Sequence, residues 1–293
     1  MENRIIAEQT ELFGEKAVVL KGVNNFNASR VFDCGQSFRF NETDGVIDGI
    51  ALGRRIRIKQ DGDTLFIVGS DENEYREIWE KYLGLDEDYE MINADIISRL
   101  GVYNGVIEEA VRSAHGIRIL RQEHFEALCS FIISQNNNIP RIKKLVEALC
   151  RACGEKINCD GDFYAFPKPE AVCALGVDGL AELKMGFRAK YLYDAAQRVV
   201  DGRIDLNAVE KMSFAEAEEY LMQIYGVGKK VADCTLLFGY YKTEAFPVDV
   251  WIKRVLEKYY PEGIDMSSLG NYAGIAQQYL FCYERYINGG KTD

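Results

Sequence analysis

Lys230 and Asp249 are the two side chains of this sequence whose types and placement most readily suggest covalent chemistry. Each stands at the expected mouth of a helix. A lysine acts as a nucleophile only when deprotonated, so it needs a desolvated site or nearby positive potential. A helix N-terminus supplies some of that potential, and it holds an aspartate in the first turn ionised. Pro247, in the run Phe246-Pro247-Val248-Asp249-Val250-Trp251, suits a helix start. Taken singly, Lys230 also reads as a solvated lysine and Asp249 as a capping carboxylate.

The lysine follows a distinctive turn, YGVGKKVADC at 225–234. The preceding FAEAEEYLMQIY has helical spacing of apolar residues and ends at Tyr225. Gly226 suits the helix stop, where a left-handed residue is cheap only for glycine. Gly228 allows a second bend, with Val227 between them as a buried plug. Lys229 then opens a new helix. The free amides at the N-terminus of this second helix and the helix dipole could grip a phosphate. Such a contact positions a duplex without reading its sequence. An ordinary helix–turn–helix corner fits the two glycines equally well. Lys230 and Cys234, four apart, share a helix face.

The elements that must carry these residues fall into two kinds. Residues 17–70 hold strand-like runs, AVVLKGV, QSFRF, GVIDGIAL, RRIRIKQ and TLFIVGS, separated by turn signals. From Asp71 the pattern becomes helical, with helices expected over 72–84, 104–114, 123–134, 138–152, 187–201, 213–223, 229–240, 248–260 and 271–286. The expected architecture is α+β. An antiparallel sheet domain spans 1–110, and an all-helical body spans 111–293 with its helix–hairpin–helix near 213–240.

Composition bounds the class. With 293 residues, 47% hydrophobic and 28% charged, the chain can bury a sizeable core. No run reaches the roughly 18 apolar residues of a membrane span, and MENRIIAEQT lacks the apolar core of a secretory signal. A cytoplasmic protein with reduced thiols is expected despite eight cysteines. The run Cys150-x2-Cys153-x5-Cys159 has metal-ligand spacing but no fourth ligand. The net charge of −11 argues against nucleic acid. Between Gly226 and Lys258, however, Lys229, Lys230, Lys242, Lys253, Arg254 and Lys258 outnumber Asp233, Glu244, Asp249 and Glu257.

Together these residues resemble the helix-hairpin-helix DNA glycosylase superfamily, and GVG-x-K-VADC followed by PVDV resembles its 8-oxoguanine DNA glycosylases. Four further motifs carry the resemblance. They are Gly35-Gln36-Ser37-Phe38-Arg39 (with Phe40 for a tryptophan), Ser134 to Ile142, Gly186-Phe187-Arg188-Ala189-Lys190-Tyr191, and Tyr272 to Phe281. The resemblance implies a β-sheet domain before a helical body, and base flipping, which chemistry at a stacked base requires.

It also implies roles. Lys230 attacks the sugar C1′ and forms a Schiff base that proceeds to strand cleavage, and Asp249 stabilises charge on the sugar. The Gly35 carbonyl accepts the N7–H that oxidation adds to guanine, a contact normal guanine N7 cannot make. Gln277 meets the base edge, Phe281 stacks on its plane, and Cys234 and Phe238 line the pocket. Asn136 fills the gap, Arg141 and Arg188 read the orphaned cytosine, and Phe187, in place of a tyrosine, wedges beside it. Gly226, Val227, Gly228 and Lys229 contact phosphate.

Trp251 stands where vertebrate-type relatives have histidine. Lys229 beside Lys230 leaves the nucleophile ambiguous on chemistry alone, and the family spacing selects Lys230.

The expected partner is damaged double-stranded DNA, bound by a monomer with no membrane. No cofactor is required, although a structural monovalent or divalent cation at the hairpin is implied. Only Cys282 follows Asp249, so no iron–sulfur cluster is expected. Two competing readings are a glycosylase for another damaged purine and a non-catalytic DNA-binding module. The Lys230–Asp249 pair counts against the second.

Overall fold

The computed structural model describes residues 5–159 and 161–288, excepting the side chains of 266, 267, 287 and 288. Strands β1 (Ile6–Leu12) and β2 (Glu15–Lys21) pair antiparallel from Ile6 opposite Lys21 to Leu12 opposite Glu15. Their turn is Phe13-Gly14, at φ 57° and 75°, the conformation a two-residue hairpin requires. The sequence reading missed β1. Its residues are half-buried or exposed throughout, so it lacks a strong apolar alternation. Helix α1 (Ala28–Asp33) follows, capped by the Asn27 side chain.

Strands β3 (Phe40–Thr43), β4 (Val46–Ala51), β5 (Arg54–Asp61) and β6 (Thr64–Val68) complete a six-stranded sheet ordered β1-β2-β6-β5-β4-β3. The run QSFRF, expected as a strand, has regular pairing only from Phe40. Gly35 at φ 78° breaks the extended path, and the buried Gln36 side chain bonds to other segments instead.

The expected helix 72–84 is α2 (Glu72–Glu74), a wider π turn (Tyr75–Trp79) and α3 (Glu80–Tyr82). Helix α4 (Tyr89–Leu100), unforeseen in the sequence, starts on Asp88, which accepts from the amides of Glu90 and Met91. Helix α5 (Val106–Ser113) follows.

Next come α6 (His124–Ser134), α7 (Ile139–Cys153), α8 (Pro169–Glu182), α9 (Arg188–Val200), α10 (Phe214–Leu221) and α11 (Lys229–Tyr240). Helix α8, also unforeseen, is kinked at Gly176 (φ 68°). The C-terminal part holds α12 (Val250–Tyr259), α13 (Ala273–Cys282) and a π turn (Tyr283–Asn288).

The chain forms two compact units. One comprises Met1–Gly49, Ile56–Arg121 and Phe246–Asp293, and the other Ile50–Arg55 and Gln122–Ala245. Chain order suggested a break near 110, but α12 and α13 belong with the sheet because α13 packs on α5. In the second unit α11 packs on α6. A methyl at Gly239 would lie 3.2 Å from the Ala127 Cβ, so glycine allows the close approach. That packing sets which face of α11 meets the end of α6.

Candidate active site

Helix α10 begins with a reciprocal cap between Ser213 and Glu216. After it, the Val227 amide donates to the Ile224 carbonyl at 3.0 Å, closing the hairpin around a Val227 side chain only 5% exposed. Gly226 has φ 83°, and a Cβ there would lie 2.2 Å from the Tyr191 ring. Gly228 differs from expectation. It is the N-cap of α11 at φ −98°, with open space where a Cβ would stand, so any residue could adopt it.

Gly226→Ala is therefore expected to cost about 2–4 kcal/mol, from left-handed strain plus a ring that must move. Gly228→Ala should cost less than about 1 kcal/mol. Denaturant unfolding of the two variants checks this, and equal costs would contradict it.

The two lysines of α11 are chemically unlike. The Lys229 amine pairs with Glu218 of α10 and lies 3.5 Å from Asp233, one turn along its own helix. Burial pulls its pKa down, but the Glu218 hydrogen bond and the Asp233 charge outweigh this and leave it raised. Burial, reinforced by Glu218, pushes the Asp233 carboxyl up to about 7.

Lys230 is half-buried. Its Nζ is 3.3 Å from the Ser134 Oγ and 5.4 Å from the centroid of the Phe131 ring. It forms no ion pair with a carboxylate of its own unit among the described residues. The two amines, one of which the motif spacing singled out as Lys230, therefore stand in different surroundings. The Phe131 ring stacks on Phe238 at 5.2 Å, and Phe238 and Cys234 are both buried. Sequence reading gave no part to Phe131 and placed Ser134 only at the start of a motif, with no role of its own. Their signal was indirect: a polar residue ending an otherwise apolar helix.

The asparagine run divides its labour. Asn138 caps α7 by accepting from the Arg141 amide, and the Asn137 side chain donates to the Ile133 carbonyl. Asn136 is exposed at φ 49°, a left-handed position asparagine tolerates. Arg188, only 3% exposed, donates to the carbonyls of Gln135, Asn136 and Met185. Expected as a reader of the orphaned base, it is committed here to holding the Asn136 loop. Burial, then the neighbouring Arg141, lowers its pKa. Arg141 is exposed, and Phe187 stands 48% exposed with the Arg188 guanidinium 4.5 Å from its ring centroid. Residues Asn136, Arg141, Phe187 and Arg188 are therefore brought together.

The remaining predicted residues lie in the sheet-containing unit. The segment at Gly35 is pinned from two sides. The Gln36 amide donates to the carbonyls of Val31 and Arg118 and accepts from the Leu120 amide, while Gln278 donates to the Cys34 carbonyl at 2.8 Å. Gln278 escaped the sequence reading. Its signal was an amide inside the apolar helix α13, which burial obliges to find a partner.

Its neighbour Gln277 is 4% exposed, and its side-chain oxygen has no hydrogen-bond partner among the described residues. Such an orphaned acceptor is the kind of group that awaits a ligand. Phe281, one turn on, is 8% exposed. Asp249 is the N-cap of α12 rather than a first-turn residue, and its Oδ1 accepts from the amides of Trp251 and Ile252, each at 2.9 Å. Pro247 precedes the helix.

Among the described residues, no cluster of three or more His, Cys, Asp or Glu is placed to hold a metal. No described helix is long and apolar enough to cross a membrane.

These features define a helix-hairpin-helix protein with an amine at the mouth of its second hairpin helix. Comparison with known proteins agrees. Residues 129–265 match the HhH-GPD superfamily base excision DNA repair protein, and 18–128 match the 8-oxoguanine DNA glycosylase N-terminal domain. The 8-oxoguanine glycosylase/lyase of Clostridium acetobutylicum, solved with dsDNA containing cytosine opposite to 8-oxoG, is 35% identical with a TM-score of 0.88. That likeness covers 97% of this chain and 98% of the other. MBOgg1, solved with a low affinity DNA ligand, is 38% identical with a TM-score of 0.90, covering 97% and 99%. The probable N-glycosylase/DNA lyase of Methanothermobacter thermautotrophicus is 32% identical over 203 residues, which are 59% of this chain and 65% of that protein's length.

The chain belongs to the 8-oxoguanine DNA glycosylase family.

Proposed function

We propose that this protein is a bifunctional DNA glycosylase and AP lyase that excises 8-oxoguanine from duplex DNA, preferring cytosine opposite the lesion. The observation that carries the reading is the contrast between the two lysines. Lys229 is held by two carboxylates, while the Lys230 amine meets a hydroxyl and an aromatic face.

In this reading the flipped nucleotide presents C1′ to Lys230. The amine nitrogen forms a bond to C1′ as the bond to the base nitrogen breaks, and the departing purine takes up a proton. Transfer of a proton from the amine nitrogen to O4′, with breakage of the C1′–O4′ bond, opens the sugar and gives an iminium. Removal of a C2′ proton then breaks the C3′–O3′ bond, so the 3′ phosphate leaves by β-elimination. The glycosidic transition state carries positive charge on the sugar, which the Asp249 carboxylate stabilises. The Gly35 carbonyl, on a segment pinned by Gln36 and Gln278, accepts the lesion's N7–H. The Gln277 oxygen gains the partner it otherwise lacks. The stacking role of Phe281 and the pocket-lining role of Cys234 and Phe238 complete the base site.

On the opposite strand, Asn136 and Phe187 occupy the gap and Arg141 meets the orphaned cytosine. Arg188 contributes from the carbonyls it holds, either by keeping Asn136 in place or by exchanging them for the base. The hairpin amides of Gly226 and Gly228 donate to a phosphate, whereas the Val227 amide, expected to do the same, is spent on the Ile224 carbonyl.

No cofactor enters the chemistry. The hairpin's oxygen donors suit a hard monovalent or divalent cation. The Ile224 carbonyl accepts one backbone amide and keeps a second lone pair, whereas the Gly228 carbonyl already accepts from the Val231 and Ala232 amides. The protein acts as a monomer in the cytoplasm, on the chromosome.

Duplexes carrying 8-oxoguanine, 3-methyladenine or a ring-opened guanine, each opposite every normal base, test the reading. Fastest excision of 8-oxoguanine opposite cytosine is expected. Preference for the alkylated purine, or no excision of any lesion, would overturn it.

A further inference from the structure

Resting on that reading, we infer that Lys229 is a positioning residue that orients Lys230 through an ion-paired clasp with Glu218 and Asp233, and that it is not a phosphate contact. The clasp joins the two helices of the hairpin motif. Glu218 lies on α10, before the hairpin, and Lys229 opens α11 after it. Asp233 sits one turn beyond Lys229, its side chain 2% exposed, with Glu218 within hydrogen-bonding reach. A phosphate contact would require the Lys229 amine to leave both carboxylates. That would leave the buried Asp233 beside Glu218 with no cation, so that the pair would have to take up a proton to remain buried.

Consecutive residues on a helix point about 100° apart. Tying Lys229 toward α10 therefore rotates Lys230 toward α6, where its amine meets Ser134 and Phe131. The clasp thus sets the register of the first turn of α11, and with it which amine faces the reacting sugar. It also explains why two acids stand at a hairpin whose amides must donate to a phosphate: each is consumed by the clasp rather than presented to DNA.

The test compares the full-length wild type with Lys229→Met, Glu218→Gln and Lys229→Arg. Two quantities are read. One is the single-turnover excision rate at saturating enzyme on an 8-oxoguanine:cytosine duplex. The other is the salt-dependent affinity for a duplex carrying a tetrahydrofuran abasic analogue. Lys229→Met and Glu218→Gln are each expected to lower the saturating rate roughly 10- to 100-fold. The affinity and its salt slope should stay unchanged. Lys229→Arg, which keeps the cation, should recover the rate.

A phosphate role gives the opposite pattern. Lys229→Met would weaken binding and reduce the salt slope by about 0.9, Glu218→Gln would tighten binding by freeing the lysine, and saturating rates would hold. That result would overturn the inference. If Lys229→Met does not fold, Glu218→Gln and the arginine variant decide between the two patterns. An inactive wild type would instead overturn the proposed function, and the clasp's role with it.

Discussion

Replacing Lys230 by glutamine is expected to lower single-turnover excision of 8-oxoguanine by at least about 10³-fold, while the protein stays folded. Loss of a covalent nucleophile removes the whole intermediate, so its effect approaches that of removing the complete machinery. Stability should change little. Lys230 is half-buried, meets one hydroxyl and carries no ion pair within its unit, and glutamine can still bond to Ser134. The companion change Lys229→Gln breaks the clasp but spares the nucleophile, so its loss should stay in the 10- to 100-fold range. Rapid-quench kinetics at saturating enzyme, with melting curves for both variants, separate the two. A Lys230→Gln enzyme within tenfold of wild type would contradict covalent catalysis by this residue.

Asp249→Asn should lower the same rate by about 10²–10³-fold, the range for removing one electrostatic stabiliser of a developing charge. The difficulty is that Asp249 also caps α12 through two amides. Asparagine separates the roles, because it caps as well as aspartate but carries no charge. The melting temperature of Asp249→Asn should therefore stay close to wild type. Asp249→Ala should lose the rate and also about 1 kcal/mol of stability. If Asp249→Asn excises at the wild-type rate, the carboxylate is a cap alone.

The hairpin and its lysine were legible because glycine and charge punctuate them. Gly226 needs a left-handed backbone and has the Tyr191 ring against it, so its residue type encodes its geometry. Gly228 shows the limit: its conformation is open to any side chain. Helices α6, α7, α9 and α11 announced themselves by apolar spacing. Helix α8 did not, because Gly176 breaks it into short pieces with weak amphipathicity. Strand β1 was hidden because it lies at the sheet edge and buries little. The QSFRF run illustrates the reverse error. Its alternation suits a strand, but Gln36 spends its amide on Val31, Arg118 and Leu120 and draws the segment out of the sheet.

At the site, motif spacing located residues without revealing what holds them. The clasp at Lys229, the Gln278 bond to the Cys34 carbonyl and the commitment of Arg188 to the Asn136 loop are all long-range contacts. No periodicity encodes such contacts. Burial hinted at each: an arginine, an aspartate or a glutamine in an apolar setting must be partnered.

The most direct test of the account is borohydride trapping on a duplex with one 8-oxoguanine opposite cytosine, followed by peptide mapping of the reduced adduct. The account predicts a covalent protein–DNA complex attached at Lys230, retained in Lys229→Gln and absent from Lys230→Gln. An adduct mapped to Lys229, or base release with no trapped complex, would contradict it.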